Sequence, residues 1–158
     1  MLDHRSHVRA VKPLTIAALL ALLGIAALGG CGSGDPFGYA TVSGKVTYDD
    51  GSPIPAEMIT LTFYPEADPL DAKTYPRSGK AYVEKQTGEF RSATTMKVGD
   101  GIVRGKHKVT VTGRGREPLP ESVVPAEYAN SSKTPLEVDT ATRPFVLKVR
   151  KPGAKSNP

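Results

Sequence analysis

Residues able to do covalent or metal chemistry are few in this chain. There is one cysteine, Cys31, and of three histidines only His107 lies beyond it. A Ser or Thr nucleophile needs a base, usually His, oriented by a carboxylate. A lone histidine supplies neither a triad nor a metal cage. His107 shares strand parity with Val109 and Val111, so it reads as a packed, hydrogen-bonded ring and not as a general base or ligand. Hard cations want several loop oxygens together. Asp49, Asp50, Asp68, Asp71 and Asp100 all sit in turn-like segments, but no loop offers three acidic ligands at alternating positions. Aspartate favours turns by bonding its own backbone, and that is how these five are read. No catalytic residue, metal ligand or cofactor is expected.

Other candidates concern binding and crosslinking. Tyr64, Tyr75, Tyr82 and Tyr128 could stack on sugar rings, since each joins an apolar face to a polar tip. The lack of any Trp weakens a carbohydrate reading, and ordinary edge packing is the plainer one. A Lys–Asn or Lys–Asp isopeptide would need Lys45 to point inward. Its parity points outward, and the last strand, 145–149, has no Asn or Asp. Asn130-Ser131-Ser132 satisfies a glycosylation triplet but reads as a polar loop. Gly113-Arg114-Gly115-Arg116 reads as a solvated loop tip.

Cys31 draws its meaning from its surroundings. Arg5, Arg9 and Lys12 precede an apolar run from Leu14 to Leu28, and Gly29-Gly30 come directly before the cysteine. A basic segment, an apolar segment and small residues at a cut form a secretory signal peptide. With a cysteine after the small residues, the stretch resembles a bacterial lipobox. That resemblance implies cleavage between Gly30 and Cys31, with lipid on the sulfur and amine of Cys31. The alternative is an uncleaved anchor helix, but at ~1.5 Å per residue the apolar run reaches roughly 22 Å, short of a bilayer core of ~30 Å. Either reading tethers the remaining domain outside the cytoplasmic membrane. Two or three acyl chains hold firmly, because each buried methylene contributes about 0.8 kcal/mol.

Cleavage also removes part of the charge. The formal net charge is +5, and Arg5, Arg9 and Lys12 against Asp3 leave with the signal. The remaining basic residues are interspersed with acidic ones, which describes a solvated surface and no nucleic-acid stripe. With the only cysteine committed to lipid, no disulfide can form, and stability must come from packing.

Beyond Cys31 the chain is organised in short strands. Gly32–Gly38 is a Gly/Ser/Pro tether. Val42, Gly44, Val46 and Tyr48 alternate with Ser43, Lys45 and Thr47, the period of a half-buried strand. A turn at 49–53 leads to a strand over 57–64 with Ile59, Leu61 and Phe63 inward. Residues 65–76 hold three prolines and read as a long loop. Strands follow at 79–85, at Phe90 and at 106–112, then a loop over 113–125, one helical turn at 125–130, and strands at 136–138 and 145–149. The tail 151–158 reads as frayed. About seven strands joined by Gly, Pro and Asp turns, without a sustained helical period, predict an all-β fold, an antiparallel β-sandwich.

The residues 42–48 (VSGKVTY), followed by Gly51-Ser52-Pro53-Ile54-Pro55, resemble the opening of carboxypeptidase regulatory-like domains, which have a transthyretin-like sandwich. Thr62-Phe63-Tyr64-Pro65 is similar to that family's second strand. Thr87-Gly88-Glu89-Phe90 resembles its hairpin, with Thr87 replacing an acidic residue. Gly105-Lys106-His107-Lys108-Val109-Thr110-Val111 resembles a later strand, with Arg104 in place of proline and His107 in place of an aromatic. Val124-Pro125-Ala126-Glu127-Tyr128 and Thr134-Pro135-Leu136 match small envelope lipoproteins of this type. The resemblance spans 39–150 and implies an Ig-like or transthyretin-like sandwich acting as a structural or binding module without catalysis. The same fold hosts hydroxyisourate hydrolase, whose site needs several histidines and a Tyr-Arg-Gly-Ser end. This chain ends Lys155-Ser156-Asn157-Pro158, so that activity is not expected. The expected function is therefore a non-enzymatic interaction or structural module of the cell envelope. The alternatives are a carbohydrate-binding lipoprotein and an accessory subunit of a transport or secretion assembly. The expected partners are the membrane, through lipid on Cys31, and an envelope protein or glycan, with no nucleic acid.

Overall fold

The computed structural model describes residues 35–114 and 123–153. The expected signal segment, Cys31 and the end of the tail lie outside the described residues, as do Gly115 and Arg116. Every described element but one is a strand. In order they are β1 (Tyr39–Ala40), β2 (Gly44–Tyr48), β3 (Met58–Pro65), β4 (Gly79–Val83), β5 (Glu89–Phe90), β6 (Ile102–Val103), β7 (Lys106–Arg114), β8 (Glu137–Asp139) and β9 (Phe145–Val149), with a 3-10 helix at Ala126–Ala129 before β8. Among the described residues no helix is long and apolar enough to cross a membrane.

The strands form a four-stranded sheet in the order β4-β3-β7-β8, a three-stranded sheet in the order β5-β2-β9, and the short pair β1-β6. The four-stranded sheet is antiparallel throughout, with the β3–β7 register running from Met58↔Arg114 to Pro65↔His107. The alternation read from the sequence is what places its side chains. Ile59, Leu61 and Phe63 are buried, and so are Val109 and Val111 opposite them. From the other sheet come Val46, Tyr48, Phe90, Phe145, Leu147 and Val149, and the two sets make one core. Phe63 joins the layers, with its ring centroid 6.0 Å from both Phe90 and Phe145.

Several details differ from the expectation. The described residues contain nine strands, not seven, because β1 and β6, which pair with each other, are two residues long and carry no readable alternation. The fold is not wholly antiparallel: β2 and β9 pair in parallel from Gly44↔Phe145 to Tyr48↔Val149. The two partners lie about a hundred positions apart, and nothing local sets their direction. Strand β7 continues through Gly113 and Arg114 into what read as a loop, because these two residues pair with Ile59 and Met58 of β3. The tether ends earlier than expected, because Gly38 O accepts a hydrogen bond from Arg104 N–H at 2.9 Å. Thr47 has outward parity yet is buried, with its hydroxyl between Tyr48 O and Lys148 Nζ.

Two glycines are demanded by close approach. Gly88 has φ +74°, and a Cβ there would lie 2.3 Å from Val46 O. Gly101 has φ +97°, and a Cβ there would lie 2.0 Å from Ala40 O. Each combines a left-handed backbone with main chain pressed against it, and only glycine tolerates both.

Candidate functional site

The candidate side chains of the sequence do not converge. His107, on β7, is fully buried and lies edge-on to Phe63, with ring centroids 6.4 Å apart. Its Nδ1 donates to Gly105 O at 3.1 Å, while Nε2, also buried, has no hydrogen-bond partner. Burial pushes its pKa below the ordinary histidine value, outweighing the Gly105 hydrogen bond and the nearby Glu66 and Asp139 charges that favour the cation. The ring is a packing group, as its parity implied, and one of its nitrogens is left unsatisfied.

The turn aspartates spend their oxygens locally. Asp50 accepts from both the N–H and hydroxyl of Ser52 and pairs with Lys151. The Lys151 ammonium, then Ser52, hold its carboxyl far below the usual carboxylate range. Asp71 accepts from the N–H groups of Lys73 and Thr74 and from the Thr74 hydroxyl, which lowers its pKa. Asp100 gathers the N–H groups of Thr95, Met96 and Lys97. Desolvation is the largest single influence on Asp100 and raises its pKa, but the N–H bonds together leave it lowered. Asp49 Oδ1 accepts Asp50 N–H. Among the described residues no group of three His, Cys, Asp or Glu side chains could hold a metal ion. Asn130 Oδ1 is likewise bound to the N–H and hydroxyl of Ser132, closing the polar turn. Lys45 is exposed, as its parity required.

The tyrosines separate into three exposed rings and one core ring. Tyr64, Tyr75 and Tyr82 are exposed. Tyr128 is buried at 3 %, so its expected role as a stacking platform is corrected. It closes the core beneath the 3-10 helix, and its hydroxyl accepts Arg150 N–H at 3.1 Å. Tyr64 and Tyr82 share the outer face of the four-stranded sheet, but Tyr82 is opposite Thr60, four residues from Tyr64. At ~3.3 Å per residue that separation is roughly 13 Å along the strand. The two rings therefore make separate contacts and not one platform.

Around Tyr82 the surface opens into a groove of about 840 Å³. The cause is topological. Glu84 N–H donates to Glu89 O, and Lys80 exchanges both main-chain bonds with Thr94. Between these points β5 leaves the edge of β4 to pair with Gly44 and Lys45 on the other sheet. The diverted chain leaves a groove walled by Lys80, Tyr82, Glu84, Glu89, Arg91 and Val98. Tyr82 is 68 % exposed and Val98 97 % exposed, so apolar surface stands beside two cations and two carboxylates. Sequence reading singled out Tyr82 but missed the charged residues, because their meeting depends on β5 changing sheets. The one local signal was the Gly88 turn.

A comparison with protein-family models, with curated proteins and with solved structures finds no match to this chain.

Proposed function

We propose that this chain is a non-enzymatic interaction module of the cell envelope, held at the membrane by lipid on Cys31, with the β4–β5 groove as its working surface. The observation that carries the reading is the groove itself. It combines an exposed aromatic ring, an exposed valine and four charged side chains in one concavity of about 840 Å³. Recognition sites join apolar contact area to a few placed polar groups in this way. The order of basic segment, apolar run, glycines and Cys31 supports the lipid anchor. The motifs of 39–150 and a single core shared by two sheets support a sandwich of the carboxypeptidase regulatory-like type.

The test is site-specific photocrosslinking in living cells. A photoreactive residue replaces Tyr82, and a control replaces Lys133 on the far, β7–β8 side of the same sheet. One recurrent protein adduct from position 82 and none from position 133 is expected. Glycan or wall fragments trapped at position 82 would move the assignment to carbohydrate binding. Identical adducts from both positions would remove the groove from the account.

A further inference from the structure

A second surface, independent of the groove, lies on the other sheet. β9 ends its sheet, with β2 on one side and no strand on the other. Along a strand, the N–H and C=O of one residue point to the same side, and successive residues alternate. Phe145 N–H donates to Ser43 O and Val149 O accepts from Asp49 N–H, both at 2.9 Å. Phe145, Leu147 and Val149 therefore direct their main-chain groups at β2, and those of Val146 and Lys148 face away. Among the described residues nothing pairs with these two N–H and two C=O groups. The next residue outward, Arg150, is closed off by the Tyr128 hydroxyl. Val146 is 71 % exposed, and among the described residues no strand pairs with this edge.

Beside this edge runs a cleft of about 430 Å³ between β9 and β8, the last strand of the facing sheet. Its walls include Lys106, Asp139, Thr142, Pro144 and Val146. A strand laid against β9 would turn alternate side chains inward, and the one opposite Phe145 would face this cleft. Its other side chains would stand on the outer face with Val146 and Lys148. Next to the edge that face carries two lysines, with Glu89 opposite Lys45 on the far side of β2. Lys45 is level with Val146 in the register, and Lys148 Nζ has only the Thr47 hydroxyl and Tyr48 O as partners.

We propose that the free edge of β9 receives an extended acidic polypeptide segment, which pairs with the main chain of Val146 and Lys148 and sends a side chain into the β8–β9 cleft. Main-chain bonds supply affinity in strand addition, and side-chain pockets supply specificity. Charge selects this occupant over a second copy of the chain. Two-fold pairing of β9 with itself would set Val146 opposite the partner's Lys148 and gather two Lys148 and two Lys45 ammoniums on one face. Like charges so placed oppose pairing. Two five-residue edges would also bury well short of the ~1,200 Å² at which stable interfaces begin.

The experiment uses the full chain, isotope-labelled and extracted in detergent micelles. The probe is a capped synthetic peptide, Thr-Glu-Val-Glu-Val-Glu-Thr, at about 1 mM. Its comparators are the same peptide N-methylated at every backbone amide, so that neither edge can donate, and a version with Lys for Glu. The acidic peptide should slow amide exchange at Val146 and Lys148 by about tenfold or more, with Leu147 unchanged because its N–H is already bonded to β2. The methylated peptide should have no effect. Val146→Pro removes an N–H that the β2 ladder does not use, and should abolish the protection. Lys148→Glu leaves every main-chain group in place and should shift preference to the lysine peptide by about tenfold, so it carries the test if the proline variant unfolds. No slowing at Val146 and Lys148, or equal slowing by the methylated peptide, overturns the proposal. Protection that grows with protein concentration without peptide also overturns it, in favour of self-pairing.

Discussion

At the scale of single residues, His107 is the most consequential side chain. Its parity with Val109 and Val111 placed it in the core from the sequence alone, because a two-residue period is a local property. Its unsatisfied Nε2 was not legible, because that depends on Phe63 arriving from another strand. A buried polar atom without a partner costs about 1–3 kcal/mol. The pKa direction gives a sign. Burial holds the folded-state pKa below the ordinary 6.5, so on acidification the unfolded chain takes up this proton first. Stability from this group is present above about pH 6.5 and is lost as the pH falls through the folded-state value. In His107→Phe the ring volume stays and the titration goes. Urea midpoints measured between pH 8 and pH 5 should shift in the variant's favour as the pH falls, and parallel curves would refute the assignment. Tyr128 is the counterpart that sequence reading misplaced. Nothing in its short helical turn reveals that β7 packs against it or that Arg150, just past β9, donates to its hydroxyl. Tyr128→Phe keeps the packing and loses the bond to Arg150 N–H, and should cost about 1 kcal/mol in denaturant unfolding.

At the scale of elements, the long strands were legible, while two of the shortest were not. β3 and β7 alternate over eight and nine residues, and their bounds fall within two residues of those read from the sequence. β1 and β6 have two residues each and exist only because each is there for the other to pair with. The parallel β2–β9 pair is of the same kind, since direction is a property of two distant segments meeting. Gly88 shows how a local turn serves that arrangement. Its left-handed backbone lets its carbonyl accept Val46 N–H at 2.8 Å and brings β5 onto β2. Gly88→Ala strains the turn and drives a methyl into Val46 O, and should lower stability by about 2 kcal/mol with loss of protection at the Val46 amide. Phe63 tests the contact between layers. It touches Phe90, Phe145 and His107, and Phe63→Ala should cost about 4 kcal/mol in the same measurement.

At the scale of the whole molecule, the expected anchor and the described domain are tested separately. Cys31→Ser should leave the precursor uncleaved and without incorporated lipid label, and unchanged labelling would refute the lipid assignment. The domain's folding should be indifferent to that change, because its core is drawn entirely from residues beyond Tyr39. The amino-acid sequence by itself determined the β character, the inward set of the long strands, the turn chemistry of the aspartates and the case for an anchor at Cys31. These rest on period, composition and order along the chain, which neighbours in sequence carry between them. Only the tertiary structure decided the parallel closing of β2 with β9, the burial of Tyr128, the charged groove around Tyr82 and the free edge at Val146 and Lys148. Each of these arises where segments far apart in sequence meet or fail to meet, and no local pattern encodes which strand is left without a neighbour.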